Sequence, residues 1–148
     1  MFRGVAHLSL DSKGRLAVPS RHRDALLARS NGRLVITADS DRCLLIYPLP
    51  DWEPIQQKLM SLSSFNPHIR DLQRRLIGYA EDVEIDATGR ILISPALRQF
   101  ARLEKNVVFV GQGQKFELWD KENWEQLMDR ATGFGSGELP PELEGFSL

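Results

Sequence analysis

The chain has 148 residues, the size of one ordinary domain or two very small ones, and 42% of them are apolar, enough to build a core. Its net charge of −1 gives no overall signal for a polyanionic partner. The longest purely apolar runs, such as Cys43–Tyr47, are only about five residues, too short to span a bilayer, and one cysteine, Cys43, excludes an internal disulfide and a cysteine metal cluster. Cys43 reads as a reduced core thiol. Without a long apolar stretch after Met1-Phe2-Arg3-Gly4, the expected location is the cytoplasm.

In chain order, Leu8 and Leu10 alternate with polar residues, as in a half-buried strand. Asp11-Ser12-Lys13-Gly14-Arg15 then predicts a turn, because Asp begins turns through its side-chain oxygen and Gly tolerates positive φ. A short strand (Arg15–Val18) leads through Pro19-Ser20 into a short helix (about Arg21–Arg29), which Asn31-Gly32 ends. Two apolar strands follow, Arg33–Ala38 and Cys43–Pro48. Ile55, Leu59 and Leu62, then Ile69, Leu72 and Leu76 after Asn66-Pro67, recur at helical spacing and predict packing helices. Val83 and Ile85 open a second series: the turn Asp86-Ala87-Thr88-Gly89-Arg90, a strand (Arg90–Ile93), a helix with Ser94 as N-cap (about Pro95–Leu103), and strands Asn106–Gly111 and Lys115–Trp119. Asp120 caps a last helix to about Ala131. Beyond Thr132, Gly133, Gly135, Gly137, Pro140 and Pro141 among acids predict a mobile tail.

The two series are one repeat at a spacing of 75. Asp11, Gly14, Arg15 and Arg23 recur as Asp86, Gly89, Arg90 and Arg98; after a short deletion the match resumes at a smaller spacing, and Trp52-Glu53 returns as Trp124-Glu125. The expected organisation is a first repeat over 1–53, a helical connector over 54–80, a second repeat with the last helix over 81–131, and an acidic tail over 132–148. The fold class is α+β, mainly β, with short helices.

Charge is unevenly spread. Residues 1–50 carry a net +4, 81–124 a net −2 and 125–148 a net −4. The acidic end hides a basic N-terminal half, and affinity for nucleic acid depends on local charge. The Asp-x-x-Gly-Arg turns are the best candidate site. Asp11 and Arg15 could simply pair across a hairpin. A turn does not need Arg twice, however, and an Arg held by a carboxylate four positions earlier is oriented to donate two bonds to guanine or phosphate. Lys13, Arg3, Arg21 and Arg23 are expected to surround Arg15 as a phosphate-contacting surface; Asp82, Glu84 and Thr88 make the surroundings of Arg90 less basic. Arg70, Arg74 and Arg75 form a further basic cluster that reads first as a solvated helix face. His7, His22 and His68 fit no catalytic or metal spacing, and no phosphate loop or nucleophile motif appears. An arginine beside each Asp keeps it ionised and unsuited to acid catalysis, so no enzyme is expected.

The opening Met1-Phe2-Arg3-Gly4, the paired turns and Tyr47-Pro48-Leu49-Pro50-Asp51-Trp52 resemble the MraZ family over residues 1 to about 130. That resemblance implies an AbrB-like fold in which two swapped-hairpin elements interlock into one barrel, here as a fused pseudo-dimer. It implies a homo-oligomeric ring, no cofactor and no metal. It also implies a nucleoid-associated repressor that binds repeated promoter elements in double-stranded DNA upstream of the division and cell-wall gene cluster, which includes its own gene. The DNA-contact role would fall on Arg15 and Arg90, with Asp11, Gly14, Asp86 and Gly89 as orienting turn residues; Lys13 and Arg3 join them on the charge reading given above. Thr88 stands where the first turn has Lys13, a departure that implies unequal contributions from the two turns. The alternative reading is a ring-forming structural or protein-interaction module without specific DNA binding.

Overall fold

A computed structural model describes residues 1–130 and 140–147. Of the predicted tail, residues 132–139 and 148 lie outside the described residues; in the described part, Pro141–Leu143 forms one 3-10 turn.

Each repeat contributes four strands and a helix in the same order. The first comprises β1 (Phe2–Ser9), β2 (Arg15–Ala17), α1 (Ser20–Ser30), β3 (Arg33–Ala38) and β4 (Leu44–Pro48). Helices α2 (Leu49–Ser61) and α3 (Pro67–Leu76) follow. The second repeat comprises β5 (Glu81–Glu84), β6 (Arg90–Leu92), α4 (Pro95–Phe100), β7 (Asn106–Gly113) and β8 (Phe116–Asp120), then α5 (Lys121–Arg130). The local signals act as expected. Asn31 takes a left-handed conformation at the end of α1, Ser94 caps α4 by accepting from the Leu97 N–H, and Asp120 accepts from the Asn123 N–H at the start of α5.

The pairing between strands could not be read locally. The large sheet has the order β1-β7-β8-β4-β3-β5. The first strand of each repeat therefore pairs with the third strand of the other: β1 with β7, from Phe2↔Gly113 to Ser9↔Asn106, and β5 with β3, from Glu81↔Ile36 to Glu84↔Arg33. The fourth strands, β4 and β8, pair at the centre. Exchanging the repeats reverses the order onto itself, as a pseudo-twofold axis between β4 and β8 requires. The remaining strands, β2 and β6, form their own antiparallel ribbon.

The expected barrel is not closed by hydrogen bonds. β1 and β5 end the large sheet, and the β2–β6 ribbon is a separate sheet. The reason lies in the turns. Asp11 Oδ1 accepts the Lys13 and Arg15 N–H groups, so β1 and β2 share a backbone bond at Asp11 N–H to Arg15 O but no ladder; Asp86 does the same to Thr88 and Arg90. Apolar packing covers the gap instead. Leu16 and Ile91 of the ribbon lie in one core with Leu34, Ile36, Leu44 and Ile46 of the first repeat and Val107, Phe109, Phe116 and Leu118 of the second. Neither repeat owns this core, so neither can bury its apolar face alone.

The outer face of the sheet is covered unequally. Val35 packs with Trp52, Ile55 and Leu59 of α2 and with Leu72 and Leu76 of α3, and the Thr37 hydroxyl donates to the Leu76 carbonyl at 2.6 Å. On the second repeat, Val108, Val110 and Trp119 pack, among the described helical residues, against Trp124 and Leu127 of α5. Leu62 departs from its predicted stripe. α2 ends at Ser61, Leu62 turns to extended backbone, and its side chain is exposed.

Candidate nucleic-acid interface

The two turns are built alike. At the first, Asp11 Oδ1 accepts the backbone N–H groups of Lys13 (2.9 Å) and Arg15 (2.8 Å), and Oδ2 accepts from Arg15 Nε at 2.7 Å. Gly14, at φ +82°, supplies the left-handed step, and its N–H returns to the Asp11 carbonyl. These bonds favour the ionised carboxylate. Chiefly through the Arg15 backbone N–H, they hold the Asp11 pKa at about 2. At the second turn, Asp86 Oδ1 accepts from the Thr88 and Arg90 N–H groups, both at 2.9 Å, and from the Thr88 hydroxyl. Asp86 is likewise held below the usual carboxylate range, mainly by the Arg90 backbone N–H. Gly89 adopts φ +81°.

The turns differ at one side chain. Thr88 receives Arg90 Nε on its hydroxyl at 2.8 Å, which leaves Arg90 3.5 Å from Asp86 Oδ2. Lys13 has no such hydroxyl, and Arg15 closes directly on Asp11. Lys13 itself is exposed.

The fold brings the two turns together. Val18 N–H donates to the Gly89 carbonyl and Ile93 N–H to the Gly14 carbonyl, both at 2.9 Å. Arg90 Nη1 lies 3.8 Å from Asp11 Oδ2, so one carboxylate faces the arginines of both repeats. Between the turns runs the ribbon, with Arg15↔Leu92, Leu16↔Ile91 and Ala17↔Arg90 in register. Since side chains alternate, Leu16 and Ile91 point into the core and are buried, whereas Arg15, Ala17, Arg90 and Leu92 share the outward face. The two guanidinium groups sit diagonally across that face.

Arg23 and Arg98 form a support that sequence reading placed only in part. Arg23 Nε donates to the Val18 carbonyl at 2.6 Å, and a Cβ added to Gly89 would lie 2.6 Å from the same nitrogen. Arg98 Nε donates to Ile93 O at 3.0 Å and lies 2.7 Å from a Cβ added to Gly14. Each arginine thus lies against the turn of the other repeat. Arg23 lies beside Gly89 of the second turn, a neighbour the expected surface around Arg15 did not include. The shared spacing of Arg23 and Arg98 was the available signal; the partner each would meet required the strand exchange.

Arg3 and Arg21 lie elsewhere. Arg3 pairs with Gln112 near the start of β1, eight residues before Asp11, roughly 27 Å of extended chain. The Arg21 guanidinium packs against Gly4 and donates through Nε to His22 Nε2 at 3.2 Å. The two residues mark a basic spot at that end of β1. His22 is buried among Phe2, Phe109 and Phe116, and burial, with the Arg21 charge, pushes its pKa down. It is a neutral core residue. Cys43 is fully buried, and burial pushes its thiol pKa up, as fits a core residue.

No group of three or more His, Cys, Asp or Glu side chains is arranged to hold a metal among the described residues, and no helix among them is long and apolar enough to cross a membrane.

Comparison with known proteins adds the family. The model for the MraZ protein family matches twice in tandem, over residues 1–75 and 76–138. A protein of Nitrosomonas europaea named transcriptional regulator MraZ is 62% identical over 148 residues, all of both chains. Proteins of the same name from Thiobacillus denitrificans and Halorhodospira halophila are 58% and 52% identical, again over the whole of both chains. Matched twice by the family model and at this identity along its full length, the chain belongs to the MraZ family.

Proposed function

We propose that this chain is a sequence-specific DNA-binding transcription regulator whose outward ribbon face, with Arg15 and Arg90, enters the major groove. The observation that carries this reading is the pairing of the two turns on one ribbon. A two-stranded ribbon is a size the major groove admits, and a guanidinium presents two donors to guanine O6 and N7. Arg15 spends Nε on Asp11, and its two Nη groups have no acceptor among the described residues. Lys13 adds a phosphate contact beside it. Gly14, Gly89, Asp11 and Asp86 fix the backbone that aims the arginines. The name shared by the relatives, transcriptional regulator, supports the same reading.

The chain acts as a nucleoid-associated repressor of the division and cell-wall gene cluster, its own gene included. In this reading residues 1–53 and 81–131 are AbrB-like swapped-hairpin repeats, and 54–80 connects them. Copies of the chain form a ring that engages repeated promoter elements. Exposed Met60, Leu62 and Phe65 around the α2–α3 junction offer apolar surface for contacts between copies.

The test is a gel shift with DNA upstream of the protein's own gene, at stated salt, against a scrambled duplex. Wild type should prefer its own upstream DNA, and Arg15→Ala should lose that preference with folding and assembly intact. A ring that binds both duplexes alike would favour a protein-interaction module instead.

A further inference from the structure

Leu92 is 51% exposed, although every neighbour on the inner side of the ribbon is buried. It stands directly opposite Arg15 and two residues beyond Arg90 on the same outward face. Side chains opposite one another in an antiparallel pair are about 5 Å apart at Cβ. A large aliphatic group is thus held, on a rigid ribbon, between two oriented guanidiniums. We propose that Leu92 is a specificity-determining residue that reads the C5-methyl group of a thymine next to the bases contacted by Arg15 and Arg90.

The proposal rests on the DNA-binding reading and sharpens it. Major-groove readout combines donors aimed at base edges with apolar contact to the thymine methyl, the one apolar group displayed there. The outward face supplies both kinds of group within one ribbon. A second copy of this chain is the less fitting occupant, because covering Leu92 would press the Arg15, Arg90 and Lys13 charges of two copies together. A polyanion brings the compensating charge with it.

The repeat makes the contact one-sided. The position equivalent to Leu92 in the first repeat is Ala17, exposed on the same face. A pseudo-twofold ribbon with leucine on one strand and alanine on the other presents different apolar surfaces to the two halves of its site. The element it reads is accordingly not a palindrome, and a thymine is required on one side only.

The experiment uses the full-length protein and two versions of its own upstream fragment, one made with thymine and one with deoxyuridine, which lacks the methyl. Binding is followed by fluorescence anisotropy, with circular dichroism and gel filtration on each variant. Wild type should bind the thymine fragment about fourfold tighter, the scale set by burying one methyl-sized apolar group. Leu92→Ala should bind the thymine fragment more weakly and lose the difference, and Leu92→Met should keep it. The exchange Ala17→Leu with Leu92→Ala should restore sensitivity to the methyl.

Equal binding of the two fragments by wild type, or an unchanged difference in Leu92→Ala, would overturn the assignment. A Leu92→Ala protein with altered assembly size would assign the residue to contacts between copies instead. If Arg15→Ala also leaves binding intact, the ribbon reading itself fails. If Arg15→Ala abolishes specific binding while the methyl has no effect, only the role of Leu92 falls.

Discussion

The two turns share a backbone and differ in how their arginines are held. Asp11 closes on Arg15 at 2.7 Å and also faces Arg90 at 3.8 Å, whereas Asp86, among the described residues, reaches only its own arginine, at 3.5 Å, because Thr88 takes the Nε bond. Charge along the chain exaggerates the contrast. Arg15 lies in a segment of net +4 and Arg90 in one of net −2. In space the strand exchange mixes the two. The first turn sits beside Glu104, Lys105 and Arg98 of the second repeat, and the second turn beside Arg23 of the first. Segment charge is therefore a poor guide to which turn dominates. The position occupied by Lys13 in one turn and Thr88 in the other is the sounder guide.

The largest effect is expected at Arg15. A lost bidentate base contact costs about 1–3 kcal/mol, so Arg15→Ala should weaken binding to the upstream fragment by roughly tenfold or more, with a further loss where several copies engage several elements. Arg90→Ala should cost less, since Arg90 has Thr88 and two carboxylates drawing on its guanidinium. Arg15→Lys should rescue only partly, because an ammonium lacks the planar fork. Equal losses for the two alanine variants in a binding titration would break the comparison.

The glycines should behave as equals. Both need φ near +81°, and a Cβ on either would press on the arginine against it. Gly14→Ala and Gly89→Ala should each destabilise the fold by about 1–3 kcal/mol in denaturant unfolding. A large difference between them would mean that only one turn is tightly held.

Smaller effects should separate the carboxylates. Asp11→Ala should weaken DNA binding less than Arg15→Ala, and adding it to Arg15→Ala should lose little more, since the pair acts as one unit. Asp86→Ala should cost less than Asp11→Ala, because Asp86 orients one arginine and Asp11 touches two. A double-mutant cycle measures both expectations.

The smallest effect is a pH dependence. Asp11 titrates near 2 in the fold against 3.8 ordinarily, so its ionised form favours the native state. That contribution is present above about pH 4 and is lost as pH falls towards 2. His22 has the same sign in another window. Its folded pKa lies below the ordinary 6.5, so stability is full above that value and declines as acid protonates the unfolded chain first. Acid titrations of Asp11→Asn and His22→Leu should flatten these two regions separately.

The sequence by itself determined the repeat, the turns and nearly every element. Asp, Gly, Asn and Pro act through bonds and dihedrals within a few residues, so Asp11–Arg15 and Asp86–Arg90 were legible as oriented pairs before any fold was known. The α2 and α3 stripes were legible through Ile55, Leu59, Leu72 and Leu76, whereas Leu62 failed because a helix end is set by capping and packing together. Only the tertiary structure decided which strands pair. An alternating apolar strand specifies a buried face but not its neighbour, so β1 on β7 and β5 on β3 could not be read from β1 or β5. From that exchange follow the rest: a core owned by neither repeat, a ribbon separate from the large sheet, Arg23 beneath Gly89, Arg90 beside Asp11, and Arg3 far from both turns. These contacts join residues distant in sequence, and their energies come from surfaces that exist only once both repeats are folded together.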